Sequence, residues 1–303
     1  MGKSQTILIT GATSGIGRFS ALYLARFGHH VIATGRKTHL LEELLTEADG
    51  LKLDVLPLDV TDESSIDAAV ASANKLTGGY GIDVLINNAG YGLAAPMSEI
   101  SDEDLRKQFD TNVFGLMAVT RAFIPQMRER RSGRIINVSS IGGRFTFPFF
   151  GAYNATKYAV ESMSDAMRNE LRPFGVHVVL IEPGVIQTNF SGTTQKIVDS
   201  YNVPESPYAN SLAMADTMIE RTDKMAVGPE VIGRVIRRAI EGRRPAARYM
   251  APFKAKVMYG MFKLLPTSLA DMLMRRIAFL TPKVLHGAPS QAQLTAGESH
   301  QRN

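Results

Sequence analysis

The sequence predicts an α/β fold: a doubly wound parallel sheet of about seven strands, with helices on both faces and a helical C-terminal extension. Three observations support this fold class. Short apolar runs alternate with helical patterns that are long enough to cross between parallel strands. The runs are apolar at almost every position, which is typical of strands buried on both faces. A glycine-rich turn joins the first run directly to the first helical pattern.

Each element has its own signal along the chain. The predicted strands cover residues 6–10, 30–34, 54–58, 83–86, 134–139, 176–181 and 248–251. The predicted helices follow the glycine turn to about residue 27, and then cover 38–48, a segment after 62, 101–130, a helix after 150, 211–221 and 229–242. Thr61 or Asp62 can cap the third helix, and Ser101 begins a capping arrangement for the long fourth helix.

Composition limits the class of protein. Apolar residues make up 45% of the chain and charged residues 21%, as in ordinary folded proteins. There is no cysteine, which excludes disulfides, thiolate catalysis and thiolate metal sites, and no histidine has a metal-like spacing with carboxylates. We see no nucleic-acid-binding module. The chain shows no signal-peptide pattern and no apolar run of membrane-spanning length, so we expect a cytoplasmic protein.

The charge is unevenly distributed. Residues 221–303 hold 15 Lys and Arg against 5 Asp and Glu, whereas residues 1–220 hold 19 against 24. The basic part is either a solvated surface or a patch for anionic lipid or an acidic partner.

Ser140, Tyr153 and Lys157 are the candidate catalytic residues. Ser140 leaves the carboxyl end of a strand, where open α/β sheets hold their ligands. Tyr153 and Lys157 are four residues apart, which places them on one face of a helix. A nearby lysine cation favours the phenolate and lowers the pKa of the phenol, and a serine hydroxyl can bond the same substrate oxygen. These groups handle a proton at a carbonyl but supply no hydride, so a redox cofactor is required.

The glycine turn is the candidate cofactor site. Gly11, Gly15 and Gly17 stand between a strand and a helix, which is the context of a Rossmann-type dinucleotide site, and the helix N-terminus suits a pyrophosphate. At the end of the second strand an acidic residue would bind a ribose hydroxyl, while arginine accommodates a 2′-phosphate. Arg36 and Lys37 stand there, which predicts NADP(H) rather than NAD(H). The alternative is a pair of surface cations.

Several motifs occur together in an order that we recognise. They are Thr10-Gly11-x-x-x-Gly15-Ile16-Gly17, Asp59-Val60, Asn87-Asn88-Ala89-Gly90, Asn112, Ser140, Tyr153-x-x-x-Lys157, and Pro183-Gly184 with Thr188. Over about residues 5–250 the chain therefore resembles the short-chain dehydrogenase/reductase family. Within that family, the run Ser140-Ile141-Gly142-Gly143 and the extended tail are most similar to the hydroxysteroid and retinol dehydrogenase branch.

The resemblance implies a role for each of these residues. Tyr153 is the general acid/base, Lys157 lowers its pKa and binds the nicotinamide ribose, Ser140 orients the substrate oxygen, and Asn112 holds a water that extends the proton relay. The residues expected at the cofactor are Gly11, Thr13, Ser14, Gly15, Ile16, Gly17, Arg36, Lys37, Asp59, Val60, Asn87, Ala89, Gly90, Tyr153, Lys157, Pro183, Gly184, Ile186 and Thr188. In the alternative interpretations, Asn112 is a buried polar group satisfied by backbone, and Asn87 and Asn88 close a turn at a strand end.

The resemblance and the pattern together suggest how the chain is divided. We predict a dinucleotide-binding catalytic domain over residues 1–251, which includes a substrate lid over about 187–228. Residues 252–286 are predicted as an amphipathic helical extension broken at Pro266, and the polar residues 287–303 as a disordered tail. The helices of residues 253–285 could cap a pocket, pack on the domain or contact a membrane interface.

The candidate substrate side is apolar. The expected contacts are Ser140, Phe147, Phe149, Phe150 and Phe190, although the phenylalanines could equally pack beneath the loop as core. We predict an NADP(H)-dependent oxidoreductase of a lipophilic carbonyl or secondary alcohol, such as a hydroxysteroid or retinoid. A 3-oxoacyl-thioester reductase and a non-catalytic NADPH-sensing or scaffold protein are the alternatives. The family resemblance also implies a homodimer or homotetramer.

Overall fold

The protein forms one parallel sheet in the part of the chain that is described. The computed structural model describes residues 4–188 and 190–286. Its strands are β1 (Thr6–Ile9), β2 (His30–Gly35), β3 (Leu53–Pro57), β4 (Val84–Asn87), β5 (Gly133–Val138), β6 (Val176–Pro183) and β7 (Arg248–Ala251). They are all parallel, in the order β3-β2-β1-β4-β5-β6-β7. The predicted fold class is confirmed, and the predicted strand ends differ by a residue or two.

Helices connect and cover these strands. They are α1 (Gly15–Arg26), α2 (Thr38–Ala48), α3 (Glu63–Leu76), α4 (Asp102–Phe109), α5 (Leu116–Glu129), α6 (Gly151–Leu171), α7 (Phe190–Tyr201), α8 (Ala209–Leu212), α9 (Ala215–Asp223), α10 (Glu230–Glu241), α11 (Phe253–Leu264), α12 (Thr267–Ile277) and α13 (Pro282–Leu285). Asp62 caps α3 by accepting from the Ser64 amide, and Ser101 caps α4 by accepting from the Asp104 amide. Both predicted capping positions are therefore confirmed.

Both faces of the sheet are buried. In β1, Ile7 and Ile9 pack with Ile236 of α10, whereas Leu8 between them packs with Phe123 of α5 on the other face. Side chains alternate across a strand, so a strand that is covered on both faces has to be apolar at every position. This is why the continuous apolar runs predicted the fold correctly.

The order of the strands shows at which edge of the sheet a ligand is expected to bind. The sequential order reverses between β1 and β4, whose Ile9 and Ile86 are paired, and Asn87 of β4 pairs with Asn137 of β5. The carboxyl ends of these strands therefore meet at one edge, beside the point where the chain changes direction across the sheet. Open α/β sheets hold ligands at such a point.

The long helix predicted over 101–130 is not a single α-helix. Residues Asp110–Gly115 form a π-helical segment between α4 and α5, and this segment contains the buried Asn112. The residue spacing of the pattern continues through this segment, so the sequence alone could not locate the wider turn.

The predicted lid contains a helix that the sequence did not indicate. Residues of low helix propensity are frequent between 187 and 228, and for this reason α7 was missed. Val198 of α7 packs with Leu212 and Ala215 in a separate apolar cluster. Tertiary packing thus outweighs local propensity here.

The predicted helical C-terminal region is present. Helices α11 and α12 are separated at Pro266, as expected, and the short α13 was not predicted. None of the helices in residues 4–188 and 190–286 combines the length and the apolar character that a membrane crossing requires. The predicted disordered tail, 287–303, lies outside the described residues. The domain limits, the cytoplasmic location and the oligomeric state stay predictions.

Candidate active site

Ser140 occupies the turn that follows β5. Its backbone is extended, with φ −168° and ψ 160°, and it precedes a short turn of 3-10 helix over Ile141–Gly143. The Ser140 Oγ accepts a hydrogen bond from the Gly142 amide at 3.0 Å. The hydroxyl is therefore held at the ligand edge of the sheet with its proton free to donate.

Tyr153 and Lys157 converge on Ser140 from α6. The Ser140 hydroxyl hydrogen-bonds the phenol oxygen of Tyr153. The Lys157 Nζ lies 5.7 Å from the centre of the Tyr153 ring and donates to the Val138 carbonyl at 2.9 Å. The structure thus brings together the three side chains that the sequence singled out.

Burial controls the acidity of these two groups. It raises the pKa of the Tyr153 phenol to about 12, although the Ser140 hydrogen bond acts in the opposite direction. Burial also lowers the pKa of the Lys157 ammonium to about 8, against the attraction of Glu161. The phenol pKa is therefore raised overall and not lowered as expected, and the contribution of Lys157 to it stays a prediction. Loss of water around the phenolate dominates, and the ammonium is directed to the Val138 carbonyl.

Glu161 links Lys157 to a buried cluster of charges. It lies one helical turn after Lys157 and, like Glu182 of β6, is almost completely buried. Arg144 is 3.6 Å from the Glu161 carboxylate and 3.5 Å from that of Glu182, and Arg248 is 3.0 and 3.3 Å from the same two carboxylates. Burial and the neighbouring Glu161 raise the pKa of Glu182. Two cations thus offset two buried carboxylates beside the catalytic lysine.

The Asn112 side chain is fully used within the protein. Its Oδ1 accepts from the Tyr91 amide at 3.1 Å, and its Nδ2 donates to the Tyr91 carbonyl at 3.0 Å and to Thr156 Oγ1 at 3.2 Å. This is the arrangement of a buried polar group satisfied mainly by backbone. The predicted water relay would have to use the main chain of the π-helical segment, a type of irregularity that is frequent at functional sites.

The glycine turn fits a dinucleotide. Gly11 and Gly15 have φ +66° and +54°, which favour glycine. A Cβ on Gly17 would lie 2.3 Å from the Gly11 carbonyl oxygen, so only hydrogen fits there. The Ser14 side chain makes no capping hydrogen bond to α1, which leaves the first amides of that helix for an anionic group. Such a close backbone approach and free amides are what a pyrophosphate needs.

Asn88 holds this turn in place, a role that the sequence reasoning missed. Its Nδ2 donates to the carbonyls of Thr10 and Gly11 at 3.0 and 3.1 Å. The amides of Asn88 and Ala89 both donate to Thr10 Oγ1 at 3.0 Å. Asn88 belongs to the Asn87-Asn88-Ala89-Gly90 motif, which was the signal available in the sequence, but only the structure shows that Asn88 joins β1 to β4.

The neighbouring Asn87, Ala89 and Gly90 have different environments. The Asn87 side chain is buried and donates to Thr120 Oγ1 at 2.8 Å and Asn137 Oδ1 at 2.9 Å, so it supports the strand ends from inside. A Cβ on Gly90 would be 3.0 Å from Asn112 Oδ1, and Ala89 packs against Gly11. The Asn87 side chain is therefore used inside the protein, and its predicted contact with the cofactor stays a prediction.

Arg36 stands beside the glycine turn. The Ala12 amide donates to the Thr34 carbonyl at 2.7 Å, which joins the turn to the end of β2. The Arg36 side chain is 70% exposed, with its guanidinium 3.9 Å from Asp59. Lys37 is also exposed, at the start of α2. Two cations therefore lie where dinucleotide sites bind a 2′-phosphate.

In the predicted Asp59-Val60 pair, Val60 is buried beneath Gly115.

The segment after β6 covers the other side of the turn. The Gly184 amide donates to the Ala251 carbonyl at 2.7 Å, directly after Pro183, and Ile186 forms an isolated bridge with Val227. A Cβ on Gly15 would lie 3.2 Å from the Thr188 Cβ. The structure thus places Thr188 against the start of α1.

The phenylalanine loop joins the site to its surroundings. The Phe150 ring meets Tyr153 edge-on, with the ring centres 6.4 Å apart. Phe149, with φ +66°, meets Tyr208 of the predicted lid at 6.0 Å. Phe147 packs on Phe145 at 4.7 Å. These rings are half-buried, and their contact with a substrate stays a prediction. The Phe190 side chain, also predicted at the substrate, lies outside the described residues.

Residues 5–198 match the sequence model of the family described as short chain dehydrogenase. The chain belongs to this family. The predicted family is therefore confirmed, and with it an oxidoreductase that acts on CH–OH or C=O groups with a nicotinamide cofactor.

Relatives of this short-chain dehydrogenase/reductase include enzymes with named substrates. The 3-ketodihydrosphingosine reductase of Bacteroides thetaiotaomicron is 36% identical over 255 residues, which is 84% of this chain and 88% of the relative. The NADPH-dependent 3-dehydrocapnine reductase of Ornithobacterium rhinotracheale is 30% identical and covers 88% of this chain and 94% of the relative. A crystal structure of a short-chain dehydrogenase from Streptomyces avermitilis is 30% identical, with a TM-score of 0.73, and covers 99% of this chain and 98% of that one.

Replacing Glu161 by Gln tests the electrostatic control of Lys157. In this short-chain dehydrogenase/reductase the Glu161 carboxylate stabilises the ammonium and raises its pKa. The charge is present below about pH 8 and is lost above it, so reduction should fall as the pH rises through that value. Without the carboxylate, we expect this fall to move to lower pH by roughly one unit. The measurement is the pH profile of kcat/KM for the ketone, which reports the ionisation of groups before the ketone binds.

Asp165→Asn is the matched control for this prediction. Asp165 lies one turn further along α6 and also pairs with Arg248, at 2.5 Å, but does not influence Lys157. Its replacement should leave the profile in place. Equal shifts in the two variants would attribute the effect to the Arg248 contacts rather than to the charge beside Lys157.

Proposed function

We propose that the protein uses NADPH to reduce lipophilic ketones, and catalyses the reverse oxidation of the corresponding secondary alcohols. The observation that carries this proposal is the contact between the Ser140 hydroxyl and the Tyr153 phenol, with Lys157 close to the Tyr153 ring. The glycine turn that follows β1 lies at the same edge of the sheet, separated from β5 by β4. This arrangement handles a proton at a carbonyl oxygen next to a dinucleotide site.

The side chains divide the work at that oxygen. NADPH, when bound, supplies the hydride that the carbonyl carbon takes up. The Tyr153 phenol, which is fully protonated at neutral pH because burial raises its pKa to about 12, gives its proton to the developing alkoxide. The Ser140 hydroxyl donates to the same oxygen while its charge develops. The Lys157 cation stabilises the phenolate that remains after proton transfer.

The preference for NADPH over NADH rests on Arg36 and Lys37. Their side chains are exposed after the end of β2. The Arg36 guanidinium lies 3.9 Å from the Asp59 carboxylate, and this long contact leaves N–H donors for a phosphate. A bidentate arginine–phosphate contact is a strong interaction. The name of the Ornithobacterium relative, NADPH-dependent 3-dehydrocapnine reductase, agrees with this assignment.

The substrate class rests on the apolar surroundings of Tyr153. Phe150 contacts the Tyr153 ring, and Phe149 joins the apolar cluster that includes Val198 and Leu212 of the lid. The names of the two relatives place the reduced group at position 3 of dihydrosphingosine and of capnine. We therefore favour a 3-keto long-chain base as substrate. The hydroxysteroid or retinoid branch that the sequence suggested stays a prediction.

A substrate panel tests this proposal. NADPH oxidation would be measured with a 3-keto long-chain base, a ketosteroid, retinal, an aromatic ketone and a 3-oxoacyl thioester, and each assay would be repeated with NADH. We expect the highest kcat/KM for the long-chain ketone, and a preference for NADPH of at least ~10-fold because one strong phosphate contact is lost with NADH.

Other results of the panel would contradict parts of the proposal. A clear preference for the thioester would replace the long-chain ketone with an acyl-carrier or coenzyme A substrate. Faster turnover with NADH would show that Arg36 and Lys37 are ordinary surface cations.

A further inference from the structure

Helix α11 is fixed to the enzyme by one face. The Tyr259 hydroxyl accepts a hydrogen bond from Arg144 at 2.9 Å, and the Phe262 ring stacks on Phe145 at 5.2 Å with the planes 8° apart. Ala255 on the same face is buried. These contacts hold the helix against the loop between β5 and α6.

The opposite face of α11 is apolar and uncovered in the described part of the chain. Phe253, Val257, Met261 and Leu264 are 77%, 47%, 64% and 86% exposed. At 100° per residue they fall within an arc of about 80°. We call these four residues the α11 stripe. It lies on the side of the helix that faces away from Tyr259 and Phe262.

The α11 stripe differs from the other exposed apolar residues. Elsewhere in residues 4–188 and 190–286, no helix or strand carries more than two large apolar side chains that are exposed, and most stand alone. Isolated residues of this kind are normal on any protein surface. Four on one face of one helix form a contiguous patch, which indicates a binding surface.

Positive charge surrounds the stripe. Lys256 and Lys263 lie on one side of it and Lys254 on the other, where Lys254 also donates to the Met225 carbonyl. Across residues 253–286 there are six Lys and Arg but only one acidic residue, Asp271. An anionic partner is therefore favoured over a neutral or basic one.

We propose that the α11 stripe docks peripherally into an anionic lipid surface. Phe253, Met261 and Leu264 would enter the boundary between headgroups and acyl chains, while the flanking lysines extend to the phosphates. An apolar face bordered by lysines on both sides is the form that an interfacial helix takes. An acidic protein surface would explain the lysines but would leave the large exposed apolar side chains unused.

Docking in this orientation would bring the active-site loop close to the lipid. The inner face of α11 contacts Arg144 and Phe145, which follow Ser140 by only a few residues. A lipophilic substrate could then pass from the membrane to Tyr153 over a short path. The docking itself rests on the α11 stripe and its flanking lysines, and its test does not depend on the proposed substrate.

Vesicle flotation of the full chain tests the proposal. We expect the protein to float with vesicles of phosphatidylcholine and phosphatidylglycerol, to bind poorly to phosphatidylcholine alone, and to detach as salt is raised. The double variant Phe253→Asn with Leu264→Asn should partition ~10-fold or more weakly, because partition scales with the apolar area inserted. Lys256→Gln with Lys263→Gln should weaken binding only to the anionic vesicles.

Leu45→Asn with Lys75→Gln is the control, since both residues are exposed on other helices of the enzyme. It should bind like the wild type. NADPH oxidation with a water-soluble ketone should be unchanged in every variant, which separates this test from the proposed function.

Three results would overturn the proposal. They are absence of binding by the wild type, equal binding by the wild type and the Phe253 and Leu264 variant, and a wild-type dimer that this variant dissociates without any vesicle binding. The last result would assign the stripe to a second copy of the chain.

Discussion

Replacing Tyr153 by Phe should lower kcat for carbonyl reduction by ~10²- to 10⁴-fold, the usual contribution of a general acid. The change removes the phenol oxygen that is hydrogen-bonded to the Ser140 hydroxyl and keeps the ring, which packs against Phe150. NADPH affinity should stay nearly constant, because the glycine turn follows β1 and Arg36 follows β2, so neither belongs to α6. The measurements are single-turnover NADPH oxidation and a fluorescence titration of the cofactor.

A control has to show that the lower kcat is caused by the missing proton donor and not by a damaged fold. One missing hydrogen bond should lower the free energy of unfolding by only about 1 kcal/mol. Tyr158→Phe is the matched control, since Tyr158 is on the same helix but exposed, and its change should leave turnover intact. If the Tyr153 variant kept more than a tenth of wild-type kcat, the phenol would not be the proton donor.

The sheet could be predicted because a strand that is buried on both faces has apolar residues at every position. Ile7, Leu8 and Ile9 face alternate sides of the sheet and all three are buried, so the apolar run in the sequence corresponds directly to the packing. The convergence of Ser140 and Tyr153 followed from the same topology. A residue that leaves the carboxyl end of a strand and one in the first turn of the following helix have to lie at one edge.

The acidity of the site could not be predicted in the same way. The sequence showed a lysine four residues after a tyrosine and therefore indicated a lowered phenol pKa. The structure shows that burial outweighs that charge, and that Val138 takes the ammonium as a hydrogen-bond donor. Solvation depends on the complete packing around the two groups, and spacing along a helix carries no information about it.

The buried charge cluster could not be predicted from the sequence either. Arg144, Glu161, Glu182 and Arg248 come from a loop, a helix and two strands that are far apart in the sequence. Each one, taken alone, looks like a surface residue. Their contacts appear only when β6 and β7 pair and α6 packs above them, so composition and local pattern could not indicate the link between Glu161 and Lys157.

Replacing Gly17 by Ala should disable the cofactor site while leaving the catalytic side chains in place. The new Cβ would lie 2.3 Å from the Gly11 carbonyl oxygen and 2.5 Å from Asn88 Nδ2. Both groups belong to the contact that holds the turn against β4, so the turn has to move. We expect the Kd for NADPH to rise by ~10-fold or more, since a shift of a few tenths of an ångström in several amides costs at least one strong contact.

The stability of the same variant separates a local from a global effect. Overpacking should lower the free energy of unfolding by about 1–3 kcal/mol, and the better helix propensity of alanine offsets up to about 1 kcal/mol of that. Gly192→Ala is the matched control, because Gly192 is on α7 and a Cβ there would meet nothing within 4 Å. A Gly17 variant that is folded and binds NADPH as the control does would show that the turn tolerates a side chain. The pyrophosphate would then have to be held elsewhere, and the close approach of Gly17 to Gly11 would serve only the packing of α1 on the sheet.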